Sequence, residues 1–535
     1  MNVNPADFAG QSGLPDGERP ALSHGMGAIA VVLSLIGFVW LLNAKDVLSD
    51  RAALSFGLGL SVLGIGFGFR QRWLDEPVAG KVVRLGVPVI FAMLSQAAIN
   101  VVDLAFVGRL PAEVALPGVA AIGISMPVFW LVGGFLSAIG IGTQALTARR
   151  HGEGDDAAAG RVLMSGAALA FVLGVGCSIL GYLALPKLLP LVNGDLSVVE
   201  QSVPFARIRY IGISSMVITA AYKAFFDGTG RTHVHLVAAI VMNVINLVLC
   251  YGLIFGKLGM PRLEVAGAAW ASTLSSAVGT LVVVGWSFLP SIRKRYGLYH
   301  STAFSPDVAQ TILRVSLPSG GATVIGMGGF LLFNMAVGAV DAAEANGAPV
   351  NASATAVIQQ IVILVFLLSF AFATATATLV SQSMGAKNAD LATSYAWQSA
   401  KLGTLVMAAV ASVLFMYPDV ALGAFIKSDM LGEQGKALAI AAGTGPLRLI
   451  AIASIAITAA VVFTQSLYGA GNTKFVMIVE GVLHTLCLVP LAWLFGVWMK
   501  GGLVGIWAAA GIYVVLLAVI MGAKFAEGRW RTIRL

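Results

Sequence analysis

Three polar side chains share one face of a long apolar segment near residue 100. Gln96, Asn100 and Asp103 are spaced i, i+4 and i+7, and a helix aligns side chains at this spacing. A carboxylate inside an apolar span is costly, so it marks a candidate functional site. We predict that Asp103 exchanges a proton or binds a cation, with Gln96 and Asn100 as polar partners. A hydrogen-bonded role in helix packing is the alternative.

Two asparagines could complete the same pocket from a later apolar segment. Asn243 and Asn246 are neighbours on one helical face. Their amides could line a cation site beside Asp103, and ordinary contacts between membrane helices are the alternative.

A second polar group lies in the other half of the chain. Glu480 and His484 are spaced i, i+4, so a helix would place them together. Because histidine titrates near neutral pH, the pair could relay protons or contact a cationic substrate. The alternative is that Glu480 lies near a helix end and only holds His484 in place. Asn334 and Gln359 could line the same cavity, but Gln359 and Gln360 cannot both face inward.

The composition indicates a membrane protein. Of 535 residues, 33 are basic, 25 are acidic and 58% are hydrophobic. The charged fraction of 11% is well below the roughly 25% of an average globular protein. This composition excludes several soluble domains and a disordered chain. Three cysteines in apolar runs predict no disulfide framework, and no metal-binding cluster of Cys and His is evident.

Runs of about 20 apolar residues predict fourteen membrane-spanning helices. Two come early, at 22–43 and 53–70, after a polar segment that we interpret as a retained cytoplasmic tail. The other twelve predicted spans are 84–109, 114–147, 158–186, 200–226, 232–256, 264–290, 308–340, 353–384, 390–417, 437–468, 474–498 and 502–525.

The distribution of Lys and Arg predicts the orientation. Basic residues concentrate in alternate loops, such as the one containing Arg293, Lys294 and Arg295, and such loops face the cytoplasm. Both termini should then lie inside, in a multi-pass protein of the inner membrane. The formal net charge of +8 therefore reflects orientation, and we expect no nucleic-acid partner.

The chain contains an internal duplication. Residues 84–88 recur at 314–318 with an offset of 230, and residues 227–232 recur at 468–473 with an offset of 241. A match between 150–153 and 383–386 has an intermediate offset of 233. Each repeat has an even number of spans, so the pseudo-two-fold axis should lie along the membrane normal. The predicted parts are a tail at 1–20, an accessory hairpin at 21–75, an N-lobe of six helices at 80–290, a cytoplasmic linker at 291–306 and a C-lobe of six helices at 307–535.

These motifs resemble those of a known family. The runs at 86–108 and 142–152, together with the turns at 227–232 and 468–473, are similar to the multidrug and toxic compound extrusion (MATE) transporters of the MOP exporter superfamily. The resemblance covers about residues 80–530. It implies an all-α core of two six-helix lobes and export of organic, often cationic, compounds. Proton or sodium influx would drive that export, and no cofactor is implied.

The sequence departs from the family pattern at two places. Proton-coupled members often have Asn, three residues, then Asp on the fifth helix, whereas this chain has Asn246 followed by Cys250. A thiol carries protons near neutral pH only when its environment is strongly perturbed, so the N-lobe site has one acid. The acids expected on the seventh and tenth helices of sodium-type members are missing from 308–340 and 437–468. Arg207 and Arg448 share the offset of 241, which suggests a structural tether.

We therefore expect a proton-driven antiporter that exports amphipathic, cationic organic compounds by alternating access. Its partners would be small organic cations or drugs and membrane lipid, and it would act as a monomer. A lipid-linked precursor flippase, which needs a strongly cationic cavity, and a sodium-coupled exporter remain alternatives. An intramembrane enzyme would need two facing acids or a nucleophile with a base, and neither is evident, so we expect no enzymatic activity.

Overall fold

The computed structural model describes residues 74–192, 196–300, 303–344, 350–426 and 428–535. Within these ranges the chain is almost entirely helical and contains no β-strand. The predicted tail at 1–20 and the predicted spans at 22–43 and 53–70 lie outside the described residues.

The first half of the described chain forms seven long helices and one short helix. They are α1 Glu76–Val107, α2 Ala112–Ser137, α3 Ile139–Gly152, α4 Asp156–Val192, α5 Leu196–Gly228, α6 Thr232–Phe255, α7 Glu264–Ser287 and α8 Pro290–Tyr296. The predicted span 114–147 is thus two helices, α2 and α3, joined at Ala138.

The second half repeats this pattern with more irregular helices. They are α9 Pro306–Glu344, α10 Val350–Gly385, α11 Ala389–Met416, α12 Pro418–Phe425, α13 Ser428–Ala470, α14 Thr473–Val482, α15 Val489–Ala492 and α16 Gly502–Glu527. Two π-helical segments, Leu483–Leu488 and Trp493–Trp498, follow α14 and α15 and make one continuous span with them. Such segments occur frequently at functional sites.

Eleven of the described helical segments are long and apolar enough to cross a membrane. The twelfth core helix, α5, is 33 residues long. It is less apolar than the others because it contains Arg207, Arg209 and Lys223. A helix or pair of helices occupies each of the twelve predicted core spans, so the predicted all-α, twelve-helix fold is confirmed.

The helices pack as two groups, each with apolar clusters of its own. In the first group, Val107 of α1, Cys250 of α6 and Ala268 of α7 share one cluster of buried residues. In the second, Ile358 of α10 packs with Leu447 of α13 in one cluster of buried residues. These clusters bury apolar side chains between the helices of each group.

The two groups meet in the halves of their helices nearer one end of the bundle. This end, called the basic end below, carries Arg150 in the last turn of α3, Arg231 just before α6 and Arg295 in α8. Here the first turns of α1, including Val82, pack on Phe372 and other side chains of α10 and α11. The basic end is therefore closed by contacts between the two groups.

Two glycines allow the ends of α3 and α10 to cross at the basic end. A Cβ atom added to Gly152 would lie 2.1 Å from the carbonyl oxygen of Gln382, and one added to Gly385 would lie 2.1 Å from that of Arg149. Both distances are far below van der Waals contact. The two glycines are equivalent positions of the internal repeat, so the crossing is symmetric and requires glycine on both sides.

The predicted linker at 291–306 begins within the short helix α8. Its side chains Ile292 and Tyr296 are buried, and Arg295 donates a hydrogen bond from Nε to Asp156 Oδ2 at 2.7 Å. The other oxygen of Asp156 lies 2.8 Å from His151 Nδ1. These contacts fix α8 to the start of α4 and the end of α3.

Candidate functional site

Asp103 lies where α1, α6 and α7 converge, toward the end of the bundle opposite the basic end. Its carboxylate accepts a hydrogen bond from Cys250 Sγ at 3.0 Å and another from Ser272 Oγ. Ser272 in turn accepts a hydrogen bond from Asn246 Nδ2 at 3.3 Å. We call these four residues the Asp103 site.

The Asp103 site is closed on the side that faces the interior of the first helix group. Cys250 is 0% exposed, Asn246 is 1% exposed and Ser272 is 3% exposed, whereas Asp103 itself is half-buried. Two donors therefore stabilise the negative charge of a carboxylate that remains partly accessible.

Arg209 of α5 supplies a positive charge beside this carboxylate. Its guanidinium is close enough to interact electrostatically with Asp103 and Cys250. It lies 4.5 Å from the ring centroid of Phe129, a typical cation–π distance, and its buried Nε has no hydrogen-bond partner in the described residues. With Asp103 ionised, the two side chains carry no net charge, and protonation of Asp103 leaves one positive charge.

The structure places the four predicted partners of Asp103 in different surroundings. The structure brings Asn246 into the Asp103 site but leaves Gln96 exposed. The side chain of Asn100 lies outside the described residues. Asn243 has a buried Oδ1 without a hydrogen-bond partner in the described part of the chain, so this oxygen is not bonded to the site.

The sequence did not identify Ser272, which belongs to the Asp103 site, or Arg209, which lies beside it. Ser272 lies in an Ala-rich, Ser-rich helix where one hydroxyl could not be distinguished from its neighbours. Arg209 carried a usable signal, because an arginine within a membrane span is itself a candidate functional residue. Arg207 gives a stronger sequence signal, because Arg448 occupies the corresponding position of the second repeat.

The tether suggested for these two arginines corresponds to a contact with aromatic rings in both repeats. The guanidinium carbon of Arg207 lies 4.7 Å from the ring centroid of Tyr182, and that of Arg448 lies 5.6 Å from the ring centroid of Phe415. Arg207 Nε also donates a hydrogen bond to the Tyr182 carbonyl oxygen at 3.0 Å.

Glu480 and His484 are neighbours, but their side chains do not bond to each other. His484 Nδ1 lies 2.8 Å from the backbone carbonyl oxygen of Glu480 and 3.3 Å from the Tyr513 hydroxyl. The His484 ring also packs on α9, since a Cβ atom added to Gly329 would lie 3.0 Å from its Cδ2. His484 is therefore held by the backbone, by Tyr513 and by a glycine surface, at the start of the first π-helical segment.

The carboxylate of Glu480 interacts electrostatically with the phenols of Tyr468 and Tyr513. Among the described residues no hydrogen bond to this carboxylate occurs. An acidic side chain inside a helix bundle without a fixed partner can accept a proton or a ligand cation.

Asn334 and Gln359 form a separate pair. Gln359 Nε2 donates a hydrogen bond to Asn334 Oδ1 at 3.0 Å, and Asn334 Nδ2 donates to the Phe330 carbonyl oxygen of its own helix at 2.8 Å. Gln360 is exposed, as expected if only one of the two glutamines faces inward. The structure shows no contact that joins this pair to Glu480 or His484.

Polar contacts between the two helix groups hold the basic end together. Gln144 Nε2 donates to Thr378 Oγ1 at 2.8 Å, and Thr378 Oγ1 donates to the Asp227 carbonyl oxygen at 3.2 Å. Gln382 Nε2 donates to the Gly228 carbonyl oxygen at 2.7 Å. We call these five residues the gate.

The chain end adds two further contacts across the basic end. Arg149 donates a hydrogen bond from Nη2 to the Ile533 carbonyl oxygen at 2.7 Å, and Arg150 Nη2 lies 3.4 Å from the Leu535 carbonyl oxygen. Because 533–535 follow α16, these bonds connect the second helix group to the end of α3.

The Asp103 site also offers oxygen atoms to a monovalent cation, from Asp103, Ser272 and Asn246. In the described part of the chain, no three side chains of His, Cys, Asp or Glu are arranged to hold a metal ion.

A family model described as MatE matches residues 88–252 and 318–494 of this chain. The two matched segments correspond to the two helix groups, and together they cover more than half of the sequence. Each contains one of the predicted polar groups, centred on Asp103 and on Glu480.

Related proteins are named as multidrug resistance proteins, and solved structures with similar folds are named as transporters. "Probable multidrug resistance protein NorM" of Thermotoga maritima is 23% identical over 455 residues, covering 84% of this chain and 92% of the relative. Multidrug resistance protein PmpM of Pseudomonas aeruginosa is 26% identical over 312 residues, covering 57% of this chain and 62% of the relative.

A MOP superfamily transporter from Pyrococcus furiosus has a similar structure. It superposes with a TM-score of 0.76 at 22% identity, covering 85% of this chain and 97% of that one. A multidrug resistance MATE family transporter solved in an outward-facing conformation also gives a TM-score of 0.76, at 22% identity and the same coverage. At this identity the likeness concerns the fold.

Proposed function

Since the chain belongs to the MatE family of transporters, within the MOP superfamily, we propose that it is a multidrug exporter driven by proton antiport. Its substrates are amphipathic, cationic organic compounds, and its two lobes move between conformations that open at opposite ends of the bundle. The family and the many apolar helices make it a multi-pass membrane protein.

The observation that carries this proposal is the Asp103 site. One carboxylate is held by Cys250 and Ser272 and lies beside the guanidinium of Arg209. Protonation changes the net charge of this group from zero to positive. A bound organic cation is then repelled, so proton binding and substrate binding exclude each other, which is the requirement for antiport.

The gate supports alternating access. Its contacts close the basic end, and every one of them joins helices of different groups, apart from backbone bonds within each helix. Separation of the two groups at this end would break a small number of neutral hydrogen bonds, each contributing only about 1 kcal/mol. These hydrogen bonds therefore contribute only a modest part of the cost of switching.

Glu480 is the proposed contact for substrate in the second lobe. Its carboxylate has no hydrogen bond in the described residues, and Tyr468 and Tyr513 lie beside it. Aromatic faces next to a carboxylate suit a large organic cation. His484, Asn334 and Gln359 remain candidates for orienting groups on the same side.

The basic end is proposed to face the cytoplasm, with both chain termini inside and the protein in the inner membrane. Concentration of Lys and Arg on one side of a membrane protein favours that orientation. We propose a monomer that acts with protons as coupling ions, without a cofactor and without enzymatic activity.

Sodium coupling is the competing mechanism. A sodium ion at Asp103 would leave the same net positive charge as a proton, and it would also require the Ser272 hydroxyl and the Cys250 thiol to turn their hydrogens away. A proton needs only one of these changes, which favours proton coupling.

Drug efflux from everted membrane vesicles tests the proposal. Ethidium uptake is measured with a proton gradient alone, with a sodium gradient alone and with neither. Uptake under the proton gradient is expected, whereas uptake that needs sodium, or no uptake above vesicles lacking the protein, would contradict it.

A further inference from the structure

A second group of ionisable side chains lies buried at the basic end of the first lobe. Asp227 of α5 is 1% exposed and His235 of α6 is 5% exposed. The distance between His235 Nδ1 and Asp227 Oδ2 is 3.8 Å, too long for a hydrogen bond. Lys223 lies one turn before Asp227 on α5 and interacts electrostatically with both. We call these three residues the basic-end cluster.

The cluster leaves two buried polar atoms without partners. Asp227 Oδ1 and His235 Nδ1 make no hydrogen bond within the described residues. Buried polar atoms are almost always bonded, and an exception needs an explanation. A carboxylate and an imidazole that lie close together while keeping unbonded polar atoms are groups that can share a proton.

Other charged side chains near the cluster are directed elsewhere. On α3, Arg149 bonds to the Ile533 carbonyl oxygen. On α6, His233 is exposed and packs on Trp286, and Arg231 lies over the ring of Tyr296. The helix α10 presents Thr378 and Gln382, which do not titrate. The charge of the cluster is therefore set by its own three residues.

Hydroxyl side chains lie between the Asp103 site and the cluster, along two adjacent helices of the lobe. Ser272, Ser276 and Thr280 lie on one face of α7, since they are four residues apart. Thr280 Oγ1 lies 2.8 Å from Thr219 Oγ1 on α5.

Thr219 continues this line toward the basic end. It lies one turn before Lys223 and two turns before Asp227 on the same helix. At 1.5 Å per residue, the eight-residue steps along α7 and α5 together cover about 24 Å. Small polar groups thus line the distance between the two ionisable sites.

The cluster is also directly connected to the gate. The backbone carbonyl oxygens of Asp227 and Gly228 are the acceptors for Thr378 and Gln382 of the other lobe. A change at the Asp227 side chain therefore acts on the same turn that joins the lobes.

We propose that Lys223, Asp227 and His235 form a second proton-binding site whose occupancy opens the gate. This inference rests on the proposed proton antiport and adds the position from which the proton leaves. The proton taken up at Asp103 reaches the cluster, and its arrival destabilises the closed basic end.

Charge balance gives the direction of this effect. With Asp227 ionised, Lys223 protonated and His235 neutral, the cluster has no net charge and can remain dry. An added proton leaves one uncompensated positive charge, and an uncompensated buried charge is strongly unfavourable. Opening the basic end admits water to that charge and allows the proton to leave.

Distance measurements between two spin labels across the basic end test this proposal. The labels are placed at Glu153→Cys and Lys387→Cys, which are exposed positions in different lobes. The background carries Cys177→Ser and Cys487→Ser and retains the buried Cys250. Spectra of the full-length protein in lipid nanodiscs are compared between about pH 8 and about pH 5.5, a range in which histidine and perturbed carboxylates titrate.

The unsubstituted cluster should give a short distance at high pH and a longer one at low pH. Asp227→Asn mimics the protonated carboxyl and leaves Lys223 uncompensated, so the long distance should persist at high pH. The double variant Lys223→Met/Asp227→Asn carries no charge in the cluster while His235 is neutral, so it should return to the short distance at high pH. This recovery also shows that the single variant did not simply unfold.

His233→Gln is the matched control, because His233 is exposed and only two residues from His235. It should titrate like the unsubstituted protein, while His235→Gln should lose or displace the pH response. If Asp227→Asn and His235→Gln both respond to pH like His233→Gln, the second site is refuted.

The Asp103→Asn variant separates this inference from the proposed function. Nanodiscs expose both ends of the protein to the same buffer, so the cluster can take up a proton without Asp103, and Asp103→Asn should keep the pH-dependent distance change even if it no longer couples transport to protons. If the distance change is lost in Asp103→Asn but not in Asp227→Asn, the response belongs to the Asp103 site and the inference is wrong.

Discussion

Cys250 Sγ donates a hydrogen bond to Asp103 Oδ1 at 3.0 Å. In the proton-coupled members that the sequence resembles, the position of Cys250 often holds an acid. Cys250 therefore contacts Asp103, and because a neutral thiol stands where an acid is often found, this part of the lobe can carry one negative charge fewer. One carboxylate and one guanidinium, in place of two carboxylates, make the site neutral when Asp103 is ionised.

Replacing Cys250 tests how much the thiol contributes. Because a thiol is a weak donor and packs as a small apolar group, Cys250→Ala should retain ethidium export within about threefold. Cys250→Asp should behave differently, since two adjacent carboxylates cannot both ionise cheaply and share a proton. Its transport should persist to higher pH, as measured by initial rates across a pH series. Identical pH profiles for the two variants would mean that position 250 does not reach the proton site.

Ser272→Ala removes the stronger of the two donors to Asp103. A hydrogen bond to a charged group contributes about 1.5–3 kcal/mol. Without it, the ionised carboxylate of Asp103 loses its stronger hydrogen-bond donor. The initial rate of proton-driven ethidium export should therefore fall at least about tenfold. Ser275→Ala is the control, because Ser275 bonds only to the backbone of its own helix, and an equal loss in both variants would contradict the assignment of Ser272.

Arg209 is expected to weaken the binding of cationic substrate. Removing one unit charge at about 10 Å in an effective dielectric of about 20 changes cation binding by about 1.5 kcal/mol. Arg209→Gln should therefore lower the KM for ethidium roughly tenfold while slowing its proton-driven release. Arg207→Gln should leave KM unchanged, because Arg207 bonds to Tyr182. A KM that rises in Arg209→Gln would show that the arginine contacts substrate favourably.

The glycine crossing at the basic end predicts a pair of symmetric variants. A methyl group on Gly152 or Gly385 would collide with a backbone oxygen of the other lobe, so Gly152→Ala and Gly385→Ala should both destabilise the closed basic end. Spin-label distances across this end should lengthen at high pH in both. Gly338→Ala, where nothing lies within 4 Å of the added Cβ, should not change the distance. An effect at only one of the two glycines would argue against the symmetric crossing.

The sequence predicted the fold because apolar length and repeated turns are local properties. The twelve core spans and the family resemblance needed no tertiary information. The site was only partly predictable, since helical spacing identifies a face such as that of Asp103 but not which neighbour it meets. Ser272 and Arg209 reach Asp103 from helices that are more than 100 residues away in sequence.

The second lobe shows the same limit. The i, i+4 spacing predicts that Glu480 and His484 are neighbours, whereas in the structure His484 Nδ1 lies beside the Glu480 backbone carbonyl oxygen, at the start of a π-helical segment. The i, i+4 spacing predicts a regular α-helix and gives no indication of a π-helical segment. The gate was missed for a related reason, because its acceptors are backbone oxygens and carry no side-chain signature.

The central claim is that Asp103 carries the coupling proton, and transport by Asp103→Asn in reconstituted vesicles tests it most directly. Uphill ethidium transport under an imposed proton gradient is measured beside ethidium exchange at equal pH, which needs substrate binding but no proton coupling. The account predicts that Asp103→Asn loses the gradient-driven transport and keeps the exchange. Gradient-driven transport at the rate of the unsubstituted protein would contradict it.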